Sequence, residues 1–322
     1  MLIDNYHRQI DYLRLSITDM CNLRCLYCRK MEKKSQMEIL RYEEIIRIAQ
    51  IMGGLGIRKV RITGGEPLIR KDVVSLIEKI SQMRLFSEIT LTTNGTKLAE
   101  FSSLLKKAGL SRVNISLDSL DSQIYSKITG GGELNKVLMG IEEAIMCDLT
   151  PVKINVVAMK GVNENEAEGF ARLTIDRLLW VRFIEFMPIS HHRDFWAERY
   201  LENGILKERL LNSFSLIPFD GAVGNGPAEY YQIKGAKGVI GFISPISNHF
   251  CAKCNRLRLT PDGKLRPCLG DEKEIPLKKF IRKGATDEEL KELILQAIKN
   301  KPKAHHFNIK GLQGRQMVAL GG

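Results

Sequence analysis

KVRITGG, residues 59–65, alternates apolar and polar side chains before ending on two glycines. Val60 and Ile62 form one set, Arg61 and Thr63 the other, and a period of two sends the sets to opposite faces of a strand. The same grammar returns in YLRLSIT (12–18), EITLTTNG (88–95), RVNISLD (112–118), PVKINVVAM (151–159) and WVRFIEF (180–186). Helical patterns stand between most of these runs, at 41–56, 71–83, 95–109, 133–148 and 164–179. Strand and helix in repeated alternation predict an α/β fold of parallel strands with helices outside. Six such units predict an incomplete (βα)6 barrel.

The polar half of the alternation is the unusual part. A parallel sheet covered on both faces normally reads as nearly continuous Val, Ile and Leu. Here Arg14 and Ser16, Arg61 and Thr63, Thr90 and Thr92, Asn114 and Ser116, and Lys153 and Asn155 interrupt it. With the apolar set facing the helices, the polar set lines the lumen. Closed eight-stranded barrels fill that space with aliphatic side chains, so a cationic lining predicts a wide, wet cavity. Arg14, Arg61, Lys153 and Arg182 are expected to converge there on an anion. Solvated faces of edge strands are the bland alternative, disfavoured by the helices between the runs.

The 322 residues carry 49 Lys and Arg against 37 Asp and Glu, a formal charge of +12. No dense basic block appears, which points to a phosphorylated small molecule and away from a nucleic-acid track. A hydrophobic content of 44% and a charged content of 27% are those of ordinary globular proteins. No apolar run has the length of a membrane span, and the N-terminus lacks a signal-peptide core. The expected address is cytoplasmic.

The cysteines fall at 21, 25 and 28, then 147, then 251, 254 and 268. An odd count in such a chain argues for metal binding over a disulfide framework. Cys147 lies in the helical pattern 133–148 and reads as a packed core residue. MCNLRCLYCRK (20–30) places three thiols where one compact loop can bring them to a single cluster, and thiolates are the usual ligands of iron–sulfur clusters. Structural zinc usually completes four ligands, and none is near until His191. FCAKCNRLRLTPDGKLRPCLG (250–270) repeats the pattern with thirteen residues before its third cysteine. There a zinc knuckle with His249 as fourth ligand stands against a second cluster. Arg256 and Arg258 alternate just beyond, a pair suited to phosphate.

C-x3-C-x2-C with Tyr27 before its last cysteine, just after a first strand, resembles the signature of the radical S-adenosylmethionine (SAM) enzymes. ITGGEP (62–67) is similar to that family's methionine-contacting segment. Taken with the late C-x2-C-N-R-x-R, the third cysteine and the terminal Gly321-Gly322, the whole chain resembles the GTP 3′,8-cyclase family of molybdenum cofactor biosynthesis. LTTNG, NISLDSLD, KINVV and RFIEFMP share in the likeness.

The resemblance implies a [4Fe–4S] cluster on Cys21, Cys25 and Cys28 whose fourth iron chelates SAM. It implies a second [4Fe–4S] cluster on Cys251, Cys254 and Cys268 that meets the guanine. SAM contacts fall on Tyr27, Gly65, Ser116 and Met187, and GTP contacts on Arg14, Arg61, Thr92, Lys153, Arg256 and Arg258. Arg14, Arg182, Gly321 and Gly322 are expected to serve catalysis. The tail would enter the active site with Arg315 as its polar anchor. The implied reaction is reductive cleavage of SAM, hydrogen abstraction from the GTP ribose C3′ and attack of that carbon on guanine C8. An external electron donor is implied, as is a downstream cyclic pyranopterin monophosphate synthase, while a homodimer stays open. The expected division is a partial barrel over 1–190 and a C-terminal region over 191–322. A peptide-modifying radical SAM enzyme and a zinc-stabilised nucleic-acid-binding protein are the competing readings.

Overall fold

A computed structural model describes residues 1–28, 38–189, 193–221, 226–307 and 315–321. Six strands follow the expected runs: β1 (Tyr12–Ser16), β2 (Lys59–Thr63), β3 (Glu88–Thr93), β4 (Arg112–Ser116), β5 (Val152–Ala158) and β6 (Leu179–Glu185). They lie side by side in that order, all parallel. The intervening helices are α1 (Tyr42–Leu55), α2 (Val73–Gln82), α3 (Leu98–Lys107), α4 (Ser122–Thr129), α5 (Leu134–Met146) and α6 (Ala167–Arg172).

The apolar half of each strand faces these helices. Leu13, Leu15, Val60, Ile62, Leu91, Val113, Ile115, Ile154 and Val181 are buried in one continuous core with Ile45, Ile48, Leu76, Ile77, Leu105 and Val137. Burial of each such side chain contributes about 1.5–3 kcal/mol, so the alternation itself fixes the register.

The described residues after 190 add their strands to the same sheet. Beyond α7 (Arg193–Arg199) and α8 (Asn203–Ser213), the antiparallel run β7 (Leu216–Pro218), β8 (Glu229–Ile233) and β9 (Val239–Ile243) joins the β6 edge. There β9 pairs with β6 in parallel. At the other edge β10 (Arg256–Leu259) pairs with β1 in parallel, followed by antiparallel β11 (Lys264–Arg266) and β12 (Ile275–Pro276). Twelve strands are thus joined among the described residues, eight of them parallel. Then α9 (Leu277–Arg282) and α10 (Asp287–Lys299) pack back towards α1, and α11 (Met317–Leu320) precedes the last glycines.

Two expectations are corrected. The helix expected over 164–179 is a short turn, Glu164–Glu166, followed by α6, which ends at Arg172. The carbonyls of Thr174 and Ile175 accept instead from Gly238 and Lys237 of the β8–β9 hairpin, and this tertiary capture stops the helix. Cys147 caps the end of α5 half-buried, its thiol 3.6 Å from the Glu143 carboxylate. His249 is exposed, its ring 5.6 Å from that of His305.

Candidate active site

Strand register decides which side chains share the lumen. Arg14 stands level with Arg258 on one side and Arg61 on the other; Arg61 is level with Thr90, and Thr90 with Arg112. Further round, Thr92 meets Asn114, Asn114 meets Lys153, Ser116 meets Asn155 and Asn155 meets Arg182. Paired residues project to one side of a sheet, so these form a continuous polar surface opposite the hydrophobic core. Arg14, Arg61, Arg182 and Arg258 are 6–8% exposed and Lys153 only 2%. The expected residues are therefore brought together, but the wide, wet cavity expected of them is corrected: they form a buried polar surface shielded from bulk water.

So many buried cations repel. Burial, then Arg112, Arg182 and Arg61, push the Lys153 ammonium down to about 6. Its Nζ lies 4.0 Å from the Trp180 ring centre and 5.9 Å from that of Tyr230, so aromatic faces supply part of its compensation. Arg61 and Arg258 fall to about 10, each chiefly through burial. Arg14 is lowered by burial and then by Arg258 and Arg61. Burial would raise the Tyr12 phenol, but Arg61, Arg14, Arg256 and Arg112 together bring it below its ordinary value. A polyanion in the lumen would relieve every one of these strains. The orphaned buried atoms agree: Tyr12 OH, Ser16 Oγ, Thr92 Oγ1, Asn155 Oδ1 and Arg182 Nε have no protein partner. Buried polar groups are nearly always bonded, so this lumen fits a large polar ligand.

Arg112 and Arg266 escaped the reading of the sequence. Arg112 opens β4 and pairs with Glu88 at 2.7 Å. Arg266 pairs with Glu274 at 2.6 Å. Arg112 lies on the same alternation as Asn114 and could have been read from it.

The cysteine triplets lie at opposite ends of the lumen. Cys21, Cys25 and Cys28 follow the C-terminal end of β1. Cys251 and Cys254 precede β10, which runs parallel to β1, and Cys268 follows antiparallel β11. All three of the latter therefore gather at the N-terminal ends of the strands. A five-residue strand spans roughly 16 Å, which sets the scale of the separation.

In the first triplet, burial and then Cys28, Asp118 and Cys21 raise the Cys25 thiol well above its usual range. Three thiols that oppose one another's ionisation in a half-buried loop fit a site completed by positively charged iron. The amide of Leu23 donates to Cys21 Sγ at 3.4 Å and Asn94 Nδ2 approaches it at 3.8 Å. Tyr27 donates to Asp118 at 2.5 Å, and Asp118 accepts from the Val157 amide at 2.8 Å. Among the described residues no three His, Cys, Asp or Glu side chains are gathered closely enough to ligate one metal ion. Cluster ligands need no such closeness, because each binds a different iron.

GGEP forms the floor beside this loop. The amides of Gly65 and Glu66 donate to the carbonyls of Thr18 and Met20 at 2.7 and 2.8 Å. A Cβ on Gly65 would lie 2.2 Å from the Met20 oxygen, and one on Gly64 2.6 Å from that of Thr18. Only glycine admits this approach. Glu66 is fully buried and accepts from Thr93 Oγ1 and the Asn94 amide at 2.8 and 2.6 Å. Burial raises its carboxyl to about 7 against those donors.

The tail reaches this lumen. Gly321 O accepts from Arg14 Nη2 at 3.1 Å and Arg258 Nη1 at 3.3 Å. A Cβ at Gly321 would lie 2.8 Å from both Ser16 and Thr63 side chains, and its φ of +76° favours glycine. Leu320 packs with Ile189, Phe307 and Met187. Arg315 grips Asp262 at 2.8 and 3.0 Å and Glu274 at 2.7 Å. Gly322 lies outside the described residues, as does His191.

These features have counterparts among known proteins. Residues 15–174 match the family model for the radical SAM superfamily, and residues 179–307 that for Molybdenum Cofactor Synthesis C. The structure resembles Streptococcus suis SuiB bound to precursor peptide SuiA, with a TM-score of 0.59 at 14% identity. That match covers 92% of this chain and 66% of SuiB. The fold and its cysteine loop thus define a radical SAM protein. GTP 3′,8-cyclase of Desulforamulus reducens is 48% identical over 325 residues, covering 100% of both chains. Those of Thermodesulfovibrio yellowstonii and Moorella thermoacetica are 48% and 45% identical over 99% of both. The chain belongs to the GTP 3′,8-cyclase family. Among the described residues no helix is long and apolar enough to cross a membrane.

Proposed function

We propose that this chain is a radical SAM lyase converting GTP to (8S)-3′,8-cyclo-7,8-dihydroguanosine 5′-triphosphate, the first step of molybdenum cofactor biosynthesis. The observation that carries the reading is a buried cationic lumen with one cysteine triplet at each end. Cys21, Cys25 and Cys28 would hold one [4Fe–4S] cluster, which would supply the electron for reductive cleavage of SAM, and Cys251, Cys254 and Cys268 would hold a second, which would bind the guanine.

The residues themselves bind, orient and shield. Tyr27, Gly65, Ser116 and Met187 contact SAM, the Gly64–Gly65 turn presenting backbone where any Cβ would collide. Arg14, Arg61, Lys153, Arg256 and Arg258 meet the triphosphate, and Thr92 Oγ1 supplies a hydroxyl that has no protein partner. Arg182 stands level with Asn155 at the lumen wall, its Nε without a protein partner. Gly321 closes the space between Arg14 and Arg258 and keeps water from the reacting ribose. Holding substrates and excluding side reactions is the protein's share of cofactor chemistry. The setting is the cytoplasm, with an external electron donor and a cyclic pyranopterin monophosphate synthase taking the product.

Anaerobic incubation of the iron-loaded chain with SAM, dithionite and either GTP or candidate peptides tests this reading. A GTP-derived cyclised nucleotide is expected. SAM cleavage with no nucleotide product would overturn it.

A further inference from the structure

Lys301 lies at the end of α10, only 2% exposed, and nothing in the lumen chemistry above uses it. Its Nζ donates to the Pro267 carbonyl at 2.5 Å and to the Arg256 carbonyl at 2.8 Å. Pro267 precedes Cys268, and Arg256 stands two residues after Cys254. One ammonium therefore ties the C-x2-C half of the second triplet to its distant third cysteine. Among the described residues no carboxylate lies within ion-pair distance of it, although a buried ammonium normally requires a counter-charge. The remaining cysteine is fastened by a second buried cation. Arg8, paired with Asp4 at 2.6 Å, donates to the Cys251 carbonyl at 2.9 Å and to Pro302 beside Lys301 at 2.6 Å.

We propose that Lys301 is a positioning residue for the group held by Cys251, Cys254 and Cys268, fastening the triplet and supplying the positive charge that offsets its thiolates. The inference rests on the proposed second [4Fe–4S] cluster. Three thiolates and their sulfides carry net negative charge, and one-electron reduction adds another. A buried cation beside them favours the reduced state, since cluster potentials follow nearby charge and hydrogen bonds to sulfur. Lys301 thereby holds the second cluster's potential up.

The test uses the full chain, reconstituted anaerobically, with Lys301→Met and Lys301→Arg variants. Iron and sulfide are measured per chain, and dithionite titrations are followed by electron paramagnetic resonance. The signal perturbed by GTP reports the second cluster, and the signal perturbed by SAM reports the first. In Lys301→Met the GTP-sensitive signal should titrate lower, with about a tenfold smaller reduced-to-oxidised ratio at the unsubstituted midpoint, about 59 mV for one electron. The SAM-sensitive signal should stay in place, and Lys301→Arg should recover most of the shift. Loss of the second cluster from the Met variant with retention in the Arg variant also supports the proposal. An unmoved midpoint in Lys301→Met, or equal loss of the cluster from both variants, overturns it. Iron for only one cluster in the unsubstituted chain would instead overturn the reading of the second triplet.

Discussion

Lys153 allows the electrostatics of the lumen to be tested by pH alone. Burial, then Arg112, Arg182 and Arg61, hold its ammonium at about 6 in the unliganded protein. A triphosphate among those arginines reverses the local field and returns the group towards the ordinary lysine value. Between the free and the bound pKa, GTP binding therefore takes up a proton. The sign follows: affinity is highest below about pH 6 and falls as pH rises towards the bound value. If binding restores only two of the lost units, affinity falls about 25-fold between pH 6 and pH 8, about 2 kcal/mol. Anaerobic calorimetry of the iron-loaded chain at pH 8, in two buffers of different ionisation enthalpy, reads the uptake directly. About half a proton per GTP is expected if two units are restored, rising to nearly one if the ordinary lysine value is regained, and Lys153→Met should remove most of it. Tyr12, whose phenol is held down by the same arginines, contributes any remainder. Uptake near zero in the unsubstituted chain, or equal uptake in Lys153→Met, would refute the reasoning.

Gly321→Ala forces a Cβ to within 2.8 Å of Ser16 and Thr63 in a left-handed backbone, a cost of about 2–4 kcal/mol from strain and overpacking. Cyclisation should fall at least about tenfold while the thermal melt moves little, because the tail leaves the lumen without disturbing the core; an unchanged rate would count against a tail that closes the site. Arg315→Met removes the paired contacts to Asp262 and Glu274, charge-assisted bonds worth about 1.5–3 kcal/mol each. Faster proteolytic trimming of the tail and a raised KM for GTP are the expected readouts. Glu185 is fully buried and accepts from the amides of Asn203, Ile246 and Ser247 at 3.2, 3.0 and 3.0 Å. Glu185→Leu strands those donors and should lower stability by about 3 kcal/mol or more in denaturant titration; a loss under 1 kcal/mol would show that water replaces the carboxylate.

Period-two alternation made the lumen legible before any coordinate. Arg14, Arg61, Thr90, Asn114 and Lys153 stand where their odd spacing from Leu13, Val60, Ile89, Val113 and Val152 placed them. The strands added at the β1 edge were harder, because β10, β11 and β12 are two to four residues long and acquire their role only as β10 pairs with β1, β11 with β10 and β12 with β11. Helix α4 went unread since SQIYSKIT is short and mostly polar, with only Ile124, Tyr125 and Ile128 to mark an apolar face. Its signals were local: Asp121 accepts from the amides of Gln123 and Ile124, and Gly130 ends it in a left-handed turn. Lys301 could not be read at all, since one of three alternating lysines (Lys299, Lys301, Lys303) after an amphipathic helix looks like a solvated C-terminal charge. Only the fold carries it beneath Pro267 and Arg256.

The central claim is that the lumen holds the GTP ribose within reach of the radical generated at the first cysteine triplet. GTP deuterated at C3′, incubated anaerobically with the iron-loaded chain, SAM and dithionite, tests it most directly. Deuterium should appear in the 5′-deoxyadenosine released. Cleavage of SAM with only solvent hydrogen in that product would contradict the account.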